Sequence, residues 1–468
     1  MPRSLSNLLC LSVDDLGLIF TVLQEERIAQ WDNFRIFGLA HGALCSCTLV
    51  SHSWRDIALR HLFRDLIFTH GPVVTWECVK LGHDPACPKC SCSCHSDEAS
   101  PPRRELSAFY HHLLESPHIR QHAHSLRLLA SPLGIAAGET MDVSLLFQVL
   151  SALPQLKALY LQDIEPPLPS SSTLPLTKIL TLEHLTLAFR YRTNVSQRGV
   201  VDILAHCNRV RHLNLLGIRG RQERSRDAVN SPAEPFLEVD SIVLNDYEHV
   251  SPSIFTYLSK AVLGLRSFEV DRIKVPAVMR GLQTLINTTG ARLELFAYGD
   301  TSARRQTYRG KLLLSIDGAQ LIRLRISEIL ASLSELRAPD LSKCSGLESI
   351  DITLHLGCNS LGLYLEKIIN PMLSSLRGGP RKQLQRITLK SSVLEGLPSH
   401  LEHVWVNSWL SELEDLLLQL REHHGLAEVL FILDDVAGRE KLAAENKAAI
   451  HNSLPLLASL GILKVSTL

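Results

Sequence analysis

The chain has 468 residues, a length that suits two to four domains, and its 45% hydrophobic content excludes a disordered chain. Lys and Arg total 48 and Asp and Glu total 48, so no global field exists to hold nucleic acid or an anionic membrane. No stretch reaches the ~18 uninterrupted apolar residues of a membrane span, the N-terminal run reads as lacking a cleavage site, and eleven largely scattered cysteines suit free thiols in a reducing compartment. The expectation is a cytoplasmic or nuclear protein.

The first predicted helix contains Leu11, Leu16 and Ile19, with Ser12 as N-cap and Asp14 and Asp15 in the first turn, where the helix dipole favours carboxylates. From Cys45 to Phe68, Leu49, Val50, Trp54, Ile57, Ala58, Leu62 and Phe63 recur at helical spacing, which predicts a short helix followed by another. With Ser51 and Arg55, these positions carry a resemblance: residues 8–68 look like an F-box, the three-helix module that docks onto the linker subunit of Skp-cullin-F-box ubiquitin ligases. The resemblance implies that Leu11, Leu16, Ile19, Leu49, Val50 and Trp54 divide between the module's core and the surface that meets a Skp-type linker, and through it a cullin. The alternative is that Trp54 and its neighbours are core residues of a helical cap on the following domain.

Residues 69–104 read as a Cys-rich insertion and linker. Cys87, Cys90, Cys92, Cys94 and His95, with Cys78 and His83 before them, are of the types zinc prefers. Cys-x-Cys-x-Cys is crowded, however, and no second separated pair completes a finger, so the expectation is no structural metal and no cofactor. Helical period returns at Glu105, where Leu106, Phe109, Tyr110, Leu113 and Leu114 share a face until Pro117 ends the helix.

A repeated motif follows, apolar-x-x-apolar-x-apolar, starting at Leu156, Leu182, Val210, Val239, Leu265, Leu293, Leu321 and Leu347. Successive starts lie 26, 28, 29, 26, 28, 28 and 26 residues apart, the spacing of leucine-rich repeats. One such unit has an apolar strand edge and an apolar helical stripe and cannot bury both alone, so the units must stack. The competing class is an α/β sheet protein, disfavoured by the even spacing and by the lack of a glycine-rich phosphate loop. The asparagine of regular repeats is replaced by Ile164 and Ile218, which predicts irregular repeats, and the mixed charges of Arg219 to Pro235 read as a solvated loop.

The predicted fold class is therefore α/β, a three-helix F-box followed by an irregular leucine-rich-repeat solenoid of parallel strands and helices. A connecting helix and solenoid occupy 105–383, and late irregular repeats with a cap occupy 384–468. In that last part further strands are expected at 384–389, 401–406, 427–433 and 460–465, with helices at 361–377, 409–422 and 438–452. The order of modules is similar to that of F-box proteins numerous in mushroom-forming fungi. That resemblance implies a substrate receptor whose solenoid holds a protein target for ubiquitin transfer by partner subunits.

Residues alternating with the buried strand positions point outward. They are Tyr160 and Gln162, His184 and Thr186, His212 and Asn214, Ser241 and Asn245, Glu269 and Asp271, Arg323 and Arg325, Asp351 and Thr353, and Arg386 and Lys390. The set reads as acidic at Glu269 and Asp271 and basic at Arg323, Arg325, Arg386 and Lys390. There is no G-x-S-x-G, P-loop or H-E-x-x-H, and the pairs His111–His112 and His423–His424 read as solvated, so a non-catalytic adaptor is expected. The alternative function is a leucine-rich interaction scaffold that never joins a ligase.

Overall fold

The computed structural model describes residues 45–49, 51–72, 103–130, 141–164, 180–189, 197–217, 237–245, 252–271, 276–299, 338–355, 365–378, 384–392, 402–434, 447–448 and 450–467. They fall into two compact units, Met1–Pro167 and Leu168–Leu468. Among the described residues no helix is long and apolar enough to cross a membrane.

In the first unit, α1 (His52–Arg64) begins at Ser51, whose Oγ accepts the Trp54 N–H at 3.3 Å. Ala58 and Leu62, one helical turn apart, are buried, and Trp54, Ile57, Leu59, Phe63 and Cys47 pack on them. The helix runs without a break into β1 (Asp65–Pro72), a strand the sequence reading did not foresee, which crosses the expected module boundary at residue 68. Next come β2 (Arg103–Arg104), α2 (Leu106–Glu115), α3 (Pro117–His122), β3 (Ser125–Ala130), α4 (Val143–Ser151) and β4 (Ala158–Gln162). β1, β3 and β4 are parallel neighbours, and β2 closes antiparallel onto Gly71 and Pro72. The register puts Leu66, Leu126 and Leu159 in one inward row and Phe68, Leu128 and Leu161 in the next. Phe68 stacks on Phe109 of α2 with centroids 4.7 Å apart.

The second unit repeats one strand per step. Its parallel strands β5 (Leu180–Ala188), β6 (Cys207–Leu216), β7 (Leu237–Asn245), β9 (Ser267–Asp271), β10 (Leu295–Gly299), β11 (Ser349–His355), β12 (Arg386–Ser392), β13 (Glu428–Asp434) and β14 (Leu463–Thr467) lie side by side in chain order. The two-residue β8 (Val262–Leu263) also pairs with β7, separated from β9 by Gly264 at φ 77°, a turn that favours glycine. Between the strands stand α5 (Gln197–Ala205), α6 (Pro252–Ala261), α7 (Pro276–Thr289), α8 (Asn370–Ser375), α9 (Glu402–His424) and α10 (Pro455–Ser459).

The core is a set of rows that run across the strands. Leu185, Leu213, Ile242, Phe268, Phe296, Ile350, Ile387, Val429 and Leu463 form one, and Leu187, Leu215, Leu244, Val270, Tyr298, Ile352, Leu389, Phe431 and Val465 the next. Each fully buried leucine contributes roughly 1.5–3 kcal/mol, so these rows, rather than any single helix, dominate the stability of the unit. Helices close the inward side: α6 packs on α7 so tightly that a Cβ added at Gly281 would stand 2.9 Å from the Cβ of Phe255.

One backbone pattern recurs at the start of several strands. The Arg266 carbonyl accepts the N–H groups of both Glu294 (2.8 Å) and Leu295 (3.0 Å). Glu294 accepts from Glu348 and Ser349, Glu348 from Gln385 and Arg386, and Gln385 from Ala427 and Glu428, in the same way. His124 repeats the pattern in the first unit, accepting from Lys157 and Ala158. Each is the residue after the first apolar position of the repeated motif, or its equivalent, so the motif marks a backbone device as well as a packing one.

Two sequence expectations are corrected. Of residues 401–406, expected as a strand, 402–406 lie in α9, which spans Glu402–His424. No glycine or proline separates them from the periodic run Leu410, Leu413, Leu416, Leu417 and Leu420, and extending a helix is far cheaper than nucleating a new element. His424, expected to be solvated, is buried on that same face, whereas His111, His112 and His423 are exposed. The motif at Leu321 lies outside the described residues, and β10 pairs directly with β11.

Candidate protein-interaction surfaces

Two surfaces come from the sequence reading, one in each unit. In the first, Leu11, Leu16, Ile19 and Val50 lie outside the described residues, which leaves Leu49 and Trp54. Trp54 is half-buried in the small cluster of α1, while Leu49, one turn upstream, is 87% exposed. A side chain so exposed contributes little to the core of its own unit. The cysteine cluster, Cys87, Cys90, Cys92, Cys94 and His95, lies outside the described residues. Cys45 and Cys47 stand ahead of α1.

The outer face of the sheet follows the expected alternation. Tyr160 and Gln162 are half-buried between the buried Leu159, Leu161 and Asp163 of the first unit, and the Arg127 guanidinium from β3 sits 4.5 Å above the Tyr160 ring. In the second unit His184 and His212, in register on β5 and β6, are both exposed and stack with centroids 4.7 Å apart and planes at 20°. Although its outer edge is open, desolvation of the stacked His184 ring, aided by His212 and Arg211 and opposed by Glu183, holds it below the usual imidazole range. Beside them the Asn214 amide donates to the Thr186 hydroxyl at 3.3 Å, and Thr186 is nearly enclosed rather than open.

Further along, the register continues the outer rows through Ser241, Ser267, Leu295, Ser349, Arg386 and Glu428, and through Val243, Glu269, Ala297, Asp351, Thr388 and Leu430. Asp271 ends β9 opposite Gly299. The basic section is largely neutralised within the sheet. Lys390 donates to Asp351 at 2.8 Å, and Glu428 receives both Arg386 and Lys464, the latter at 2.7 Å. Those two hydrogen-bonded cations hold the Glu428 carboxyl below its ordinary range. Arg323 and Arg325 lie outside the described residues.

Sequence reading missed Glu428 and Lys464, which the same alternation carried two strands further supplies. It also passed over the apolar outward residues Val243, Leu295 and Ala297, of which Leu295 stands in register between Ser267 and Ser349 and Ala297 between Glu269 and Asp351. Such an arrangement of short polar, imidazole and apolar side chains on rigid parallel strands can hold a protein segment. It offers no group of three or more metal-ligating residues among those described. No family model matches the chain. No curated protein matches it either.

Proposed function

We propose that the chain is the substrate-recognition subunit of a Skp-cullin-F-box ubiquitin ligase, its N-terminal module docking on the linker subunit and an irregular leucine-rich solenoid binding a protein target. The observation that carries this reading is Leu49, an exposed leucine placed just ahead of the capped helix α1, at a position where the F-box resemblance expects a docking residue. One parallel strand per step, spaced by the leucine motif, supports the solenoid half of the reading. Ubiquitin transfer belongs to the partner subunits, and the chain itself acts as a non-catalytic adaptor in the cytoplasm or nucleus.

The continuity of α1 with β1 favours a second reading, in which α1 caps the sheet and the chain is an interaction scaffold outside any ligase. Co-purification with the linker subunit separates the two. Leu49→Asp removes an exposed side chain that supports no core, so it should abolish linker binding and leave the melting temperature unchanged. Linker capture by Leu49→Asp, Trp54→Ala equal to that of the unaltered chain would rule out the ligase reading.

A further inference from the structure

Arginines and histidines converge where the last turn of α1 meets α3. The two helices pack together, and the Phe63 and His118 rings meet edge to face at 5.5 Å. The His124 backbone N–H donates to the Arg64 carbonyl at 2.8 Å, which ties the end of α3 to the end of α1. The His124 ring nitrogen Nδ1 lies 2.8 Å from the His122 carbonyl, an acceptor only, so Nδ1 carries the proton and Nε2 can donate to an anion only when the ring is protonated. Arg60, Arg64 and Arg120 form no ion pair among the described residues, and the Arg120 Nε is buried without a hydrogen-bond partner.

We propose that this junction is a binding site for a phosphate-sized dianion, formed by Arg60 and Arg64 of α1, His118, Arg120 and His122 of α3, and the adjoining His124. A tetrahedral anion suits such a site because guanidinium and imidazole groups present donors that phosphate oxygens accept in pairs. Asp56 on α1, Asp65 at the head of β1 and Glu115 at the end of α2 are absent from the groups that act on His122, which is held down by burial, Arg60, His124 and His118 in that order. His61, also on α1, is held down by burial and by Arg64, while His52 and Arg55 sit in the first turn of that helix. The C-terminal dipoles of both helices offset part of the charge on Arg64 and His122, but Arg60 stands a full turn further back.

A bound dianion reverses the balance at His122, favouring its charged form, so binding takes up a proton and tightens as pH falls. Sulfate is the probe of choice because its own charge is constant over the range. Isothermal titration of the full chain with sodium sulfate, against sodium chloride at equal ionic strength, should show one saturable site that tightens about tenfold between pH 7.5 and 6.0. Arg60→Gln and His118→Gln alter exposed side chains and should each weaken sulfate about tenfold, the scale of one charge-assisted hydrogen bond. In the unaltered chain, the proton NMR titration of His122 should move to higher pH on adding sulfate. Inorganic phosphate and a phosphoserine peptide, run beside an unphosphorylated twin, distinguish a free phosphate from one displayed on a protein, and binding of either supports the site. Sulfate acting no differently from chloride, or both variants binding as the unaltered chain does, overturns it. The site is independent of the ligase reading, which it neither needs nor strengthens.

Discussion

Glu414 gives the sharpest test of how the second unit is closed. Its carboxylate, 6% exposed on α9, accepts the N–H of Leu456 at 2.8 Å and of Leu457 at 3.0 Å, both through Oε1. These are the second and third residues of α10, whose own N-cap, Leu454, has no side chain able to accept, and whose first residue, Pro455, has no N–H to satisfy. A carboxylate 42 residues earlier therefore caps a helix that cannot cap itself. Hydrogen bonds to a charged acceptor contribute about 1.5–3 kcal/mol each, and because one oxygen serves both, the lower end applied twice gives roughly 3 kcal/mol for Glu414→Ala. Glu414→Gln keeps an acceptor oxygen without the charge and should cost about 1–2 kcal/mol. In a stacked array such a loss concentrates on the nearest neighbours. Hydrogen exchange should therefore accelerate at the Leu456 and Leu457 amides and along β14 before it does at β6 or β7. If Glu414→Ala left both the urea midpoint and those amides unchanged, the cap would contribute nothing.

Gly281→Ala should destabilise by about 1–3 kcal/mol in urea, because the clash with a Phe255 Cβ forces α6 and α7 apart and outweighs the ~1 kcal/mol of helix propensity that alanine gains. Burial pushes the Cys207 thiol up to about 12, so Cys207 should resist iodoacetamide in the folded chain at neutral pH while the exposed Cys45 reacts; rapid labelling of Cys207 would contradict its placement in the core. His61, His122 and His184 are all held below the ordinary imidazole value, so around and below pH 6.5 the unfolded chain binds more protons than the folded one, and stability must fall as pH drops through that window. Chemical denaturation at pH 7.5 and 5.5 checks the sign, and His184→Gln should flatten the dependence.

The strands were legible because the leucine motif records two things at once, an inward side chain and the residue whose carbonyl takes two N–H groups. Two further copies were in the sequence, Phe63-x-x-Leu66-x-Phe68 and Ala123-x-x-Leu126-x-Leu128, and both are strands, β1 and β3. They were hidden because each directly follows a strongly helical stretch, so a window long enough to see the helix absorbs the strand. The opposite error at 401–406 has the same origin: Val404 and Val406 fit a strand alternation as well as they fit the first turns of α9. On the outer surface the alternation picks out exposed side chains such as His184 and His212, but the charge balance of that face was illegible. Lys390 meets Asp351 and Arg386 meets Glu428 only because strands 39 and 42 residues apart in sequence share a register.

The doubly accepting carbonyls at the heads of β3, β9, β10, β11 and β12 bear on how this chain tolerates insertion. Their hydrogen bonds join backbone to backbone, so lateral alignment is set there whatever the length of the connection that brought the strand back. The step from Leu293 to Leu347 spans 54 residues where those from Leu156 to Leu293 span 26 to 29, yet Glu294 receives Glu348 and Ser349 in the same geometry as Arg266 receives Glu294 and Leu295. Doubling a flexible connection costs only about 0.6 kcal/mol in closure entropy. New sequence can therefore be grafted between strands, at the turns rather than within the rows, and the sheet keeps its order while the connections diversify.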